Sequence, residues 1–447
     1  MKPGGNTMGA KKYIRRNKDE KLKLAAAQDN WDFVGADTQY MTHGLHPYPA
    51  RMIPQIARRL IERYSKSGDI VLDPFCGSGG VLVEATLLNR NSFGIDINPL
   101  ACLLARVKTY PINPNLLIEE WRLLREDFRE KLLAVRFQGV EMEVPDFSDV
   151  NISYWFKPYV IAELALIKKR LDRIKDERIR EFFYVCFSNT VRLVSGTRKG
   201  EFKLFRMPEQ EWKKFRPNVF ATFEKKVNDS ISKMGELFEY LSKNKIKANA
   251  EVFEADTRKL FTEDFPAEGR DKLIEGSVDL IVTSPPYGDS HTTVAYGQFS
   301  RYSLIWLGYD REGTMDIDKN SLGGRVNDCD LNSKILDRTL KAIQNKNRAL
   351  EVKSFFVDLN ECLEKLYHAL SERGYACFVL GNRTVNGIKI PADEIIVELA
   401  KNIGLQHMIT IHRRIPTKRI PWKSSPTNIS GQKVETISRE NIIILRK

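Results

Sequence analysis

No run of apolar residues in this chain is long enough to span a bilayer, and its start lacks the basic, apolar and small-residue succession of a secretory signal. A cytoplasmic protein without a membrane partner is expected. Cysteine is scarce and scattered. The six residues, Cys76, Cys102, Cys186, Cys329, Cys362 and Cys377, show no C-x-x-C spacing, which argues against a disulfide framework or a zinc site. They read as reduced, mostly buried thiols, and no metal is expected. Acidic residues are outnumbered, 58 against 71 Lys and Arg, for a net charge of +13. Such an excess favours a polyanionic partner, nucleic acid first, although charge alone cannot name it. There is no internal repeat. At 447 residues with 42% hydrophobic and 29% charged content, the chain suits a globular protein holding a full core, as two domains or as one with large insertions.

Residues 1–30 open with Gly, Lys and Arg and little apolar periodicity, so a basic, flexible tail is expected, with a short helix near 21–27 and order from Trp31. A proline-punctuated segment follows and leads into a helix whose apolar face is Ile53, Ile56, Ala57, Leu60 and Ile61. Then an apolar strand ends in Asp73, a glycine turn (residues 76–80, CGSGG) feeds a helix, and a second strand ends in Asp96 before Asn98-Pro99 and another helix. That β-α-β-α order predicts an α/β fold with a parallel, doubly wound sheet. Between residues 111 and 248 the alternation disappears; stretches such as 160–180 and 227–244 read as amphipathic helices of a large insertion. Alternation returns at 251–256 and 277–282. Residues 291–350 read as a smaller, loop-rich insertion. A helix near 355–370, a strand near 375–380, a helix near 392–402 and two closing strands near 407–412 and 441–445 complete the pattern.

The strand at 277–282 runs into Thr283-Ser284-Pro285-Pro286-Tyr287-Gly288. Two consecutive prolines cannot donate to a sheet, so the strand must stop there as a stiff ledge offering acceptors. The Ser284 hydroxyl, the Pro285 carbonyl and the face of Tyr287 suit a flat ring carrying an amino group. The glycine turn after Asp73 lacks the third glycine of a dinucleotide fingerprint, so a pyrophosphate cradle is not indicated. An acid at its entrance fits a ligand with a cationic end. Asp96, about twenty residues on, stands where an acid accepts ribose hydroxyls, and Asp256 ends the third strand. Three acids at successive strand ends point to a ligand that is part adenosine, part amino acid.

With these pieces in place the chain resembles the DNA amino-methyltransferases, which carry methyl from S-adenosylmethionine (AdoMet) to cytosine N4 or adenine N6. The matching motifs are HPYPARMIP (residues 46–54), DPFCGSGG (73–80), GIDINPLA (94–101), ADTR (255–258) and TSPPYG (283–288), and the likeness covers about 38–106 and 251–447. It implies a Rossmann-like AdoMet-dependent methyltransferase sheet over 31–110 with 249–447, with 111–248 a helical insertion that would face DNA. It implies that Asp73, Phe75, Gly77 and Gly79 wrap the methionine part, that Asp96 and Ile97 hold the ribose, and that Asp256 and Thr257 meet the adenine. Residues 46–51, with His46, Tyr48 and Pro49, would close over the amino-acid end. Ser284, Pro285, Pro286 and Tyr287 would be catalytic.

S-P-P-Y looks like the cytosine-N4 version of the motif, where adenine-N6 enzymes more often carry D-P-P-Y or N-P-P-Y. Adenine N6, an RNA amino-methyltransferase and a basic binding module with a lapsed active site remain the alternatives. No Pro-Cys nucleophile accompanies the cofactor motif, which argues against methylation at a ring carbon. The resemblance implies double-stranded DNA as partner, base flipping, and room for a cognate restriction endonuclease. Two basic stretches could track phosphates: Arg198, Lys199, Lys203, Arg206, Lys213 and Lys214, interleaved with Phe202, Phe205 and Trp212, and Arg413, Arg414, Lys418 and Arg419 near Trp422. His291, close to the S-P-P-Y corner, reads as a loop residue.

Overall fold

The computed structural model describes residues 20–137, 143–144, 147, 151–199, 202–288, 294–416, 423–424, 434–435 and 437–447. Seven strands form its main sheet: β1 (Ile70–Asp73), β2 (Asn91–Asp96), β3 (Ala250–Glu254), β4 (Val278–Thr283), β5 (Leu370–Leu380), β6 (Gln406–Arg414) and β7 (Arg439–Arg446). Their order is β3-β2-β1-β4-β5-β7-β6. The first five are mutually parallel, and β7 runs antiparallel to both β5 and β6. This is a Rossmann-like α/β sheet.

The central strands are mostly apolar where both faces are covered. Helix Pro54–Tyr64 packs Ile56, Ala57, Leu60 and Ile61 onto Val71, Leu280 and Val282. On the other face, Phe355, Phe356, Leu359 and Leu363 of helix Lys346–Ala369 and Ile395, Ile396 and Leu399 of helix Ala392–Ile403 meet Leu72, Ile281 and Ile443. Asp279, an acid inside β4, is satisfied locally, its Oδ2 accepting the Ile70 N–H at 2.9 Å. The parallel order sends the carboxyl ends of β1, β2, β3 and β4 to one sheet edge, the edge at which such folds bind ligands.

Helices Pro114–Phe137, Pro158–Leu171, Glu177–Val194 and Val219–Lys243 share a separate core, with Phe182, Phe183, Phe187 and Phe223 fully buried. It is joined to the sheet through helix Pro99–Thr109, where Arg106 pairs with Glu181 at 2.6 Å.

Three expectations are corrected. The short helix expected near 21–27 is present over residues 20–28, and Ala26 in it is buried, so order starts before Trp31. The stretch 160–180 is two helices: Asp176 accepts from the Ile179 N–H at 3.0 Å and caps the second, ending the first after Leu171. Residues 291–350 are largely helical where described, with Tyr296–Leu307, Arg311–Asn320 and Lys334–Ala342. Polar surface faces had hidden their short apolar stripes, such as Phe299, Leu304, Ile305 and Trp306, which join the helical core.

Candidate active site

β1 delivers Asp73 to the sheet edge as a buried acid, 3% exposed. Its Oδ1 accepts the Thr283 hydroxyl at 2.7 Å and the Phe75 N–H at 3.2 Å. Because Thr283 is the last residue of β4, this one bond sets the S-P-P-Y corner against the glycine loop. No cation pairs with Asp73 among the described residues, and burial raises its carboxyl from 3.8 to about 7. A buried carboxylate with no cationic partner beside it can accept the positive end of a ligand.

The loop itself is shaped by two contacts. Gly77 donates its N–H to Asp96 Oδ2 at 2.8 Å, which joins the ends of β1 and β2. Gly79 has φ +77°, and a Cβ there would lie 2.8 Å from both Cα and Cβ of Ala105, so only glycine lets helix Gly80–Leu87 approach helix Pro99–Thr109. The other oxygen of Asp96 accepts the Asn98 N–H at 2.9 Å. A carboxylate accepts up to about four hydrogen bonds, so Asp96 can still take one from a ligand hydroxyl. Burial raises this carboxyl as well, to about 6. Tyr48 is buried over the loop: its ring stacks on Tyr296, 6.0 Å between centroids, and its hydroxyl accepts from Asn98 Nδ2 at 3.0 Å. Pro49 beside it is buried, and Phe75 and Ile97 are half-buried.

Two expected cofactor residues are placed otherwise than their neighbours. His46 points into the helical core, 1% exposed. Burial pushes its imidazole well below the usual range, so the ring is neutral. A carbonyl can only accept, so Nδ1–H donates to the Pro47 carbonyl at 2.6 Å, and Nε2 accepts the Ser188 hydroxyl at 3.0 Å. Both nitrogens are used, which makes His46 an anchor for helix Glu177–Val194. Asp256 is held by Arg258, whose Nε lies 2.9 Å and Nη2 2.7 Å from Oδ2. Arg258 also reaches Asp358 at 3.0 Å. Thr257, beside it, is buried and donates to the Pro74 carbonyl at 2.6 Å, tying the end of β3 to the loop after β1.

At the corner, Pro285 is buried, and Ser284, Pro286 and Tyr287 are half-buried. The Tyr287 hydroxyl donates to Glu440 Oε1 at 2.9 Å. Gly288 has φ +150°, and a Cβ there would sit 2.3 Å from the Arg383 guanidinium carbon, so a buried arginine lies over the turn that ends the motif.

Comparison with known proteins bears on this geometry. The DNA methylase family (N6_N4_Mtase) matches residues 6–106. The type II methyltransferase M.MvaI of Kocuria varians is 36% identical over 438 residues, covering 93% of each chain. The chain belongs to the DNA amino-methyltransferases. Its cofactor is AdoMet, and the lone acid Asp73, the free lone pairs of Asp96 and the tight glycine turn are a donor and acceptor set that fits it. A second type II methyltransferase, M.MjaII of Methanocaldococcus jannaschii, is 25% identical over 62% of this chain and 66% of its own. A tRNA (guanine(10)-N2)-dimethyltransferase of the same organism is 48% identical over 144 residues, 32% of this chain and 38% of its own. Among the described residues, no helix of this methyltransferase is long and apolar enough to cross a membrane, and no cluster of His, Cys, Asp and Glu could hold a metal.

Of the basic residues expected to meet phosphates, Arg198, Lys213 and Lys214 are exposed and Lys203 is half-buried. Lys199 is committed, donating to the Arg192 and Ser195 carbonyls at the end of its helix, 2.8 and 2.6 Å away. Arg206 is also tied down: its guanidinium lies 4.0 Å over Tyr154 and pairs with Glu209. Arg413 is a clear correction. Its side chain is 3% exposed and is spent on Glu440 and the Trp31 carbonyl, so it cannot reach a phosphate. Arg414 is exposed and paired with Asp32 at 3.0 Å. Lys418, Arg419 and His291 lie outside the described residues.

Sequence reasoning missed Thr283, Asn98, Tyr296, Arg383 and Glu440. Asn98 had a visible signal as the residue before a helix-starting proline, and its side chain both caps that helix and donates to Ser300 Oγ at 2.8 Å. Glu440 had none, since it reaches Tyr287 across 153 residues.

Proposed function

We propose that this methyltransferase places the AdoMet methyl group on the exocyclic N4 of a cytosine flipped from duplex DNA at a specific sequence. The observation that carries the reading is the Thr283–Asp73 hydrogen bond, which joins the strand leading into the S-P-P-Y corner to the acid at the glycine turn. The sulfonium supplies the electrophilic methyl group when bound. The protein has then to orient an amine whose lone pair is delocalised into its ring. Ser284 Oγ and the Pro285 carbonyl accept the amine hydrogens, which favours a pyramidal nitrogen and stabilises positive charge developing on it. Tyr287 stacks on the base and returns about 1–3 kcal/mol toward a flipping cost of a few kcal/mol. The proton leaves to solvent after transfer, so no strong base is required.

Serine at the head of the motif supports cytosine N4 over adenine N6. The type II relatives support a specific DNA site and a cognate restriction endonuclease as partner. The local likeness to a tRNA guanine-N2 enzyme favours a second reading, an amine in RNA. One experiment separates them. Purified protein is incubated with methyl-deuterated AdoMet and either whole-genome-amplified DNA, which carries no modified bases, or unmodified tRNA transcripts; the nucleosides are then weighed by mass spectrometry. Deuterated N4-methylcytosine from DNA is the expected product. N6-methyladenine, or label found only in tRNA, would overturn the assignment.

A further inference from the structure

The hydroxyl of Tyr287 does not point to solvent. It donates to Glu440 Oε1 at 2.9 Å, and the other oxygen of that carboxylate pairs with Arg413 Nη1. Glu440 and Arg413 stand directly opposite one another on β7 and β6. Arg413 in turn donates Nε to the Trp31 carbonyl at 2.8 Å and Nη2 to the Asp32 carbonyl at 3.3 Å. Trp31 is fixed by its own indole N–H, which donates to the Ala26 carbonyl at 2.9 Å, and by the Arg59 guanidinium 5.0 Å over its ring. A continuous polar line therefore runs from the segment before β1, across the last two strands, to the aromatic residue of the corner.

Packing alone gives no reason for this line. A buried ion pair rarely stabilises a fold better than apolar residues of similar size. What the pair does supply is a fixed acceptor for one phenol. The rim of the same ring rests on bare backbone, since a Cβ at Gly381 would come within 3.3 Å of Tyr287 Cδ2. The ring is held at its tip and along one edge, while the residue stays half-buried.

We propose that Glu440, braced by Arg413, is a positioning residue for methyl transfer, acting through the Tyr287 phenol to hold the ring at the angle on which the target base stacks. The inference rests on the reading of the S-P-P-Y corner as the place of the target base. Its test is a double-mutant cycle on the full chain, with labelled AdoMet and whole-genome-amplified DNA as substrates. Y287F should lower kcat about tenfold, the worth of one hydrogen bond to a charged group, and E440Q, whose amide oxygen still accepts from the phenol, about threefold, with AdoMet affinity by calorimetry within about twofold of the parent for both. The double variant should be no worse than about twofold below Y287F, because the charge that E440Q removes acts on the ring only through the hydroxyl that Y287F already lacks. Multiplication of the two losses to about thirtyfold would overturn the inference, as would weakened AdoMet binding in E440Q. Should E440Q fail to fold, Glu440→Asp keeps the charge opposite Arg413 while withdrawing it from the phenol, and the same non-additivity with Y287F is expected. A fully active Tyr287→Ala would instead remove the reading of the corner itself, and the inference with it.

Discussion

Replacing Asp73 by asparagine tests the cofactor pocket through its dependence on pH. Burial holds this carboxyl at about 7 against an ordinary 3.8, with only the Thr283 hydroxyl and the Phe75 N–H to compensate it. At 1.36 kcal/mol per pH unit the ionised form carries roughly 4 kcal/mol of uncompensated burial. The folded protein thus binds the Asp73 proton more tightly than the unfolded chain does. Its contribution to stability is present below about pH 4 and is lost as pH rises toward about 7. If Asp73 receives the cationic amino group of AdoMet, it must be ionised, and binding expels that proton. AdoMet affinity should rise about tenfold per pH unit up to about pH 7, with Asp96 steepening the curve below about 6, and fall again above about pH 8 as the α-amino group of AdoMet loses its proton. Calorimetry in two buffers of different ionisation enthalpy should show between about one and two protons released at about pH 6 and a net fractional uptake at about pH 8. D73N should bind more weakly and lose the dependence between about 6 and 7. A flat affinity in the parent, or an unchanged slope in D73N, would refute the reasoning.

Three further outcomes are expected. Gly79→Ala, which forces a side chain onto Ala105 at a positive φ, should lower stability by about 2–4 kcal/mol in chemical denaturation. Asn98→Ala removes a helix cap and the links to Tyr48 and Ser300; a loss of about 2 kcal/mol and weaker AdoMet binding should follow, read by melting and calorimetry. Lys213→Ala with Lys214→Ala should weaken DNA binding and reduce the slope of log affinity against log salt by about 0.9 per lost phosphate contact, whereas Arg413→Met should leave that slope alone and lower the melting temperature.

The cofactor half of the site was legible because its logic is local. An apolar strand, an acid and a glycine turn lie within eleven residues of one another from Ile70 to Gly80, and Asp96 repeats the pattern one strand later. S-P-P-Y was legible for the same reason: two prolines end a strand wherever they occur. What stayed hidden depends on which strands become neighbours. Arg413 sits in a basic run that reads as a phosphate tracker, yet register places it opposite Glu440 and inside the fold. His46 belongs to a motif that reads as a cofactor flap, yet Ser188, 142 residues away, claims its ring. The helices at 296–320 were masked by polar outward faces, since their few apolar residues bury against an insertion whose position local pattern does not disclose.

The sheet order also constrains how the molecule comes together. β7 follows β6 along the chain but lies between β5 and β6, so β6 has no partner until β7 is made and inserted. During synthesis the edge of β5 therefore stays open, with its ladder unsatisfied and prone to mispairing, until residues near 441 have emerged. Closure of that gap is also what delivers Glu440 to Tyr287. A nascent chain should consequently form its glycine loop early and the Tyr287–Glu440 contact last.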